Sequence, residues 1–192
     1  KRIFVPMKKQ NSMTKLVNST GLQHAGYLAV AKTRAKVLKA VSYVIPIRRP
    51  MLFVGESSCD ELCDMLINEG NTNVFIVTDA VLNKLGIPAK ITDYLDAKNI
   101  RYHVYDGITP DPTFKVVEEG LRQSIGANCD AVLAIGGGSV IDAAKMIAMS
   151  QGNKCKPQQL IGILKARKPS APLYCVPTTA GTGSEATLGA VV

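Results

Sequence analysis

Three glycines and a serine, Gly136, Gly137, Gly138 and Ser139, join two apolar stretches of this 192-residue chain. Before them runs Ala131 to Ile135; after them, Val140 to Met149 carries Ile141, Ala144, Ile147 and Ala148 on one helical face. Glycines in such a turn remove every Cβ, so a ligand can come close to backbone N–H groups. The following helix aims its unpaired N–H groups and positive dipole end at the same point. The chemistry that fits is the holding of a phosphate. A second loop, Pro177 to Glu185, leaves the short apolar run Leu173 to Val176 and places the hydroxyls of Thr178, Thr179, Thr182 and Ser184 on a glycine-rich path. One acid has two readings: Asp79, after the apolar run Val74 to Thr78, is either a helix N-cap or a partner for the two ribose hydroxyls of NAD that would repel the extra phosphate of NADP.

Positioning these loops takes an alternation of strands and helices. The pattern predicts strands at Met51 to Val54, Val74 to Thr78, Arg101 to Tyr105, Ala131 to Ile135 and Leu173 to Val176. Helices are predicted at Cys59 to Asn68 behind Ser57 or Ser58, Ala80 to Leu85, Ala89 to Lys98, Phe114 to Ser124 behind Thr113, and Val140 to Met149. Such alternation forces a parallel α/β sheet flanked by helices, with right-handed crossovers and ligands at the carboxyl ends of the strands.

The composition is that of an ordinary globular protein, 46% hydrophobic and 20% charged, with mean hydropathy +0.11. No apolar run approaches the length of a membrane span, so no membrane role is expected. The net charge of +8 is local: residues 1–50 hold eleven of the 23 basic residues and no acid, leaving twelve basic against fifteen acidic residues, a net of −3, in the rest. Residues 1–46 read as a basic extension, with an amphipathic helix over Leu28 to Ile45 stopped by Pro46, and residues 47–192 as the α/β domain. That helix docks with a solvated basic face or serves as an address or binding segment. No aromatic interleaving supports nucleic-acid binding. Five cysteines, Cys59, Cys63, Cys129, Cys155 and Cys175, an odd number without a C-x-x-C pair, fit reduced thiols in the cytoplasm. The chain opens without Met and stops after Val192, so a piece of a longer protein is expected.

The glycine cluster does not occupy the first strand-to-helix turn, where the ordinary dinucleotide fingerprint places it; the first predicted turn there is Gly55-Glu56-Ser57. Instead, the segments Gly136 to Lys145, Pro177 to Glu185 and Asp106 to Thr113, in that spacing, resemble the iron-containing, group III, alcohol dehydrogenases with a dehydroquinate-synthase-like, Rossmann-like nucleotide-binding fold. The resemblance covers about residues 47–192. It implies that the turn from Gly136 through Gly137 and Gly138 to Ser139 holds the pyrophosphate of NAD, with Asp142 orienting that turn. It further implies that Thr178, Thr179 and Thr182 line the phosphate and nicotinamide end, and that Asp79 sits at the adenosine ribose. Asp111 stands where relatives often place Asn near the cofactor. Lys145 reads equally as a site residue or an exposed helix lysine.

The family's Fe2+ is held by one Asp and three His in a helical domain that is expected beyond residue 192; His24 and His103 match no ligand position. The function implied is NAD-dependent hydride transfer between an alcohol and an aldehyde, with a homodimer expected and this chain alone inactive. Two other readings stay open. One is a glycerol-dehydrogenase or dehydroquinate-synthase-like enzyme, whose second loop differs; the other is a non-catalytic oligomerisation module.

Overall fold

The computed structural model describes residues 50–162, 165–187 and 189–192, so the basic extension and its expected helix lie outside the described residues. Residues Met51–Val192 form one compact unit. Among the described residues four strands make its sheet: β1 (Asn73–Asp79), β2 (Arg101–Ile108), β3 (Ala131–Gly136) and β4 (Leu173–Pro177). Their order is β2-β1-β3-β4 and every neighbouring pair is parallel.

Alternate residues of each strand face opposite layers. Phe75, Val77, Val132 and Ala134 pack against α4 (Phe114–Gly126) and α5 (Gly138–Asn153) through Val117, Leu121, Ile141, Ala144 and Ile147. Val74, Ile76, Leu133 and Ile135 face α1 (Ser58–Asn68) and α3 (Ala89–Ala97) through Cys63, Leu66, Ile91 and Leu95. Both faces of β1 and β3 are thus buried, which explains why those strands read as unbroken apolar runs. The short α2 (Ala80–Lys84) follows β1 directly.

One expected strand is not formed: Met51 to Val54 has no ladder partner among the described residues, and Met51, Leu52 and Val54 are exposed. An apolar tetrapeptide becomes a strand only where a neighbour supplies hydrogen bonds, and β2 and β4 hold the sheet edges. The first strand-to-helix turn is therefore at Asp79 rather than Gly55. α5 also runs four residues beyond Met149, to Asn153.

At the amino-terminal end of the sheet a carboxylate fixes the strand register. Asp130 accepts from Thr72 N (2.8 Å), Thr72 Oγ1 (2.7 Å) and Asn73 N (3.0 Å). Burial by itself would raise this carboxyl, but the hydrogen bonds from Thr72 and Asn73 outweigh it and hold the group below the usual carboxylate range. A depressed folded-state value stabilises the fold above the ordinary Asp range, and the stabilisation is lost as pH falls through the depressed value. Asp130→Asn is expected to destabilise the domain by about 1 kcal/mol at neutral pH. Urea midpoints of wild type and variant should converge as pH drops into that acid range.

Candidate functional site

The chain builds β1 and then β2 on one side, crosses back to lay β3 on the other side of β1, and continues outward to β4. The switch point is the gap between the carboxyl ends of β1 and β3, where parallel α/β sheets open a crevice. Val77 pairs with Ala134, so two residues beyond them Asp79 and Gly136 stand at the lips of that gap. The Thr78 hydroxyl ties the two ends by donating to Ile135 O at 2.9 Å.

α5 begins at this gap. Gly137 is its N-cap, no side chain caps it, and its first internal bond is from Ile141 N to Gly137 O at 3.0 Å. The N–H groups of the first turn therefore lack helical acceptors and face the crevice. Gly136 is demanded by packing, since a Cβ there would lie 2.6 Å from Val140 Cβ. Gly137 and Gly138 lie close under the second loop: added Cβ atoms would lie 3.1 Å from Thr179 Oγ1 and 3.2 Å from Ser184 Oγ respectively, the latter also 3.4 Å from Thr182 Cγ2. The two glycine-rich segments thus meet, with exposed Thr178, Thr179 and Thr182 on the solvent side and Thr178 N donating to Gly136 O at 3.0 Å. Ser184, whose hydroxyl the sequence places on the same loop but to which the resemblance gives no role, sits nearest Gly138.

Asp142 lies in the first turns of α5. Its carboxylate Oδ1 accepts from Lys145 Nζ at 3.0 Å and its Oδ2 from Val191 N at 3.0 Å. Lys145 is no exposed helix lysine, with a side chain only 12% accessible. The Asp142–Lys145 pair has the i,i+3 spacing of one helix face, whereas nothing in the local sequence of α5 signals Val191, 49 residues beyond Asp142. Asp111, Ser139 and Asp142 come together, lining a cavity of ≈ 150 Å³ with Pro112, Val191 and Val192. Asp111 has φ 50°, a left-handed conformation in which Asp and Asn are the favoured non-glycine residues, so backbone geometry alone accounts for an Asp or Asn there.

Asp79 is the N-cap of α2: its Oδ1 accepts from Val81 N and Leu82 N, both at 2.9 Å. The capping role is satisfied at the crevice lip, with the residue half-buried. Cys175, in β4 just before the threonine loop, has its thiol pushed up to about 11, chiefly by burial against the opposing pull of Lys145, and stays protonated at neutral pH.

The fold's residues suit a pyrophosphate, because bare backbone N–H groups face donor hydroxyls where a side chain would intrude. They do not suit iron: among the described residues no group of three or more His, Cys, Asp or Glu is placed to hold a metal ion. His103 instead shares a 3.0 Å hydrogen bond with Gln123 and stacks on Phe75. A larger open trough of ≈ 680 Å³, lined by Asn73, Asn99, Arg101 and His103, lies at the amino-terminal ends of β1 and β2, away from the glycine corner.

Comparison with known proteins agrees with this geometry. The sequence model of the family described as "Iron-containing alcohol dehydrogenase" matches residues 50–192. Lactaldehyde reductase of Escherichia coli K12 is 38% identical over 140 residues, 72% of this chain and 37% of the relative. The NAD-dependent methanol dehydrogenase of Bacillus methanolicus is 33% identical over 143 residues, 74% of this chain and 38% of that one. A crystal structure of 1,3-propanediol oxidoreductase superposes with TM-score 0.67 at 30% identity, covering 73% of this chain and 38% of that one. The chain therefore spans less than two-fifths of the length of these relatives.

Proposed function

This chain belongs to the iron-containing alcohol dehydrogenase family, and on that premise we propose that it is the coenzyme-holding part of an NAD-dependent oxidoreductase acting on alcohols and aldehydes. The observation that carries the proposal is the uncapped amino terminus of α5, bare of side chains at Gly137 and Gly138 and faced by the threonine loop at the sheet's switch point.

In this reading the N–H groups following Gly137 hold the pyrophosphate, and Ser139, Thr178, Thr179 and Thr182 donate hydroxyls to phosphate oxygens or to the nicotinamide end. When bound, the nicotinamide supplies the chemistry, taking hydride from an alcohol carbon or giving it to an aldehyde. The chain's own part is to fix the dinucleotide so that its reactive face meets the substrate. Iron enters through the family alone, and its Asp and His ligands are placed by this proposal in a further domain outside this chain. A homodimer and a cytoplasmic location belong to the same proposal, the second supported by five unpaired thiols. No helix among the described residues is long and apolar enough to cross a membrane.

Titration of the 192-residue chain with NAD, ADP-ribose and NADP tests the reading. Saturable binding of NAD and ADP-ribose up to millimolar nucleotide is expected, and no saturable signal overturns it in favour of an assembly module. Asp79 supplies the discrimination against NADP. Asp79→Asn keeps a capping acceptor but loses the charge that would repel a 2′-phosphate. The preference for NAD over NADP is expected to narrow about tenfold in the same titration.

A further inference from the structure

Lys145 is the most heavily engaged cation of the described residues, and none of its contacts serves the glycine turn directly. Its Nζ donates to Asp142 Oδ1 at 3.0 Å, to Thr187 Oγ1 at 3.0 Å and to Gly189 O at 2.7 Å. Three donors thus meet three acceptors, which uses the full capacity of an ammonium group. The other carboxylate oxygen of Asp142 accepts from Val191 N. Both side chains are only 12–13% accessible, so the pair is substantially shielded from water. A pair so placed is better explained by what it holds than by general surface solvation, since desolvating two charges is unfavourable unless geometry recovers the loss.

What it holds is the far end of the threonine loop. The near end is fixed by Pro177 in β4, beside Gly136, and by Thr178 N on Gly136 O. Between these points the loop has few anchors of its own: Gly181 and Gly183 have positive φ, the bond from Ser184 N to Thr182 Oγ1 is long at 3.5 Å, and most residues from Thr178 to Thr187 are exposed. Among the described residues, the short 3-10 turn Ser184–Ala186 and the Thr187 hydroxyl's bond to Ser184 O stiffen it. Such a segment opens locally at little free-energy cost unless its ends are tied.

We propose that Lys145 and Asp142 form a latch that closes the threonine loop over the glycine corner by clamping Thr187, Gly189 and Val191 to α5. They are positioning residues: neither has to touch the dinucleotide, but both hold the hydroxyls that do. The latch adds to the proposed NAD-holding function and rests on it for its consequence in binding, whereas the loop closure itself is a property of the ligand-free chain.

The test compares the 192-residue chain with Lys145→Met, which keeps the aliphatic stem, and Lys145→Arg, which keeps the charge. Amide hydrogen exchange without ligand is expected to accelerate about tenfold at Thr179–Thr187 and Gly189–Val191 in Lys145→Met, as loss of a shielded charged hydrogen bond implies, with β3 and α4 unchanged. NAD affinity is expected to fall by a similar factor, and Lys145→Arg is expected to recover most of both effects. Exchange at wild-type rates in the loop, acceleration spread evenly over the domain, or no recovery by arginine overturns the latch. If the wild-type chain binds no NAD, the proposed function fails, and the ligand-free exchange still decides the latch by itself.

Discussion

Gly137→Val is expected to leave the domain folded and to weaken NAD binding about a hundredfold, the equivalent of two charge-assisted hydrogen bonds. The backbone argues that folding survives: Gly137 has φ −81° and ψ −171°, an extended conformation that any residue adopts. The position is only half-buried, and an added Cβ would meet the flexible Thr179 side chain at 3.1 Å rather than main chain. The two methyls of valine would then occupy the space in which a pyrophosphate must lie to reach the first-turn N–H groups. Circular dichroism matching wild type, together with a loss of NAD binding by calorimetry, is the expected pair of results. Retained affinity would mean that the nucleotide passes elsewhere.

Gly152→Ala is expected to have the largest effect on stability, although the substitution lies within a helix. Helix propensity alone favours alanine by about 1 kcal/mol. Against it, a Cβ at Gly152 would stand 2.2 Å from Pro169 O, 2.8 Å from Ser170 C and 2.9 Å from Ala171 N, all main-chain atoms that cannot rotate away. That segment is pinned by Ala171 N to Ala148 O at 3.0 Å and by Asn153 Oδ1, which accepts from Arg167 N and Lys168 N at 2.8 Å each. Overpacking of this kind destabilises by about 1–3 kcal/mol, and contact with fixed backbone belongs at the upper end, so the steric term wins. A net loss of about 2 kcal/mol should appear as a lower urea midpoint with unchanged slope. Gly126→Ala serves as the opposite case: nothing lies within 4 Å of its Cβ position, so no loss is expected there. Because the strained segment leads into β4, Gly152→Ala should also loosen the threonine loop.

The same glycine shows where sequence reading stops. The helical pattern predicts an end at Met149, whereas α5 runs on to Asn153, and no local pattern shows that the main chain of Pro169 to Ala171 lies against Gly152. By contrast, the switch from the unbroken run Ala131–Ile135 to 3.6-residue spacing after Gly138 placed β3 and α5 correctly, because both depend on local pattern and burial alone. Met51 to Val54 misled for the complementary reason, since an apolar run carries no information about whether a ladder partner exists. Asp142, expected to orient the glycine turn, and Lys145, read equally as a site residue or an exposed lysine, also bind Thr187, Gly189 and Val191, which are distant in sequence and joined to them only by the fold. Asp79 shows how one residue can satisfy a structural role, capping α2, at the place where the proposed function puts a ribose.

The central claim is that nucleotide is gripped at the glycine corner between β3 and α5. Backbone amide chemical shifts of the 192-residue chain, followed through an NAD titration, test it most directly. The account predicts saturable shifts largest at Gly137–Val140 and Thr178–Thr182, with small changes at Asn99–His103. Shifts concentrated in the trough at the opposite ends of β1 and β2, or none that saturate, would contradict it.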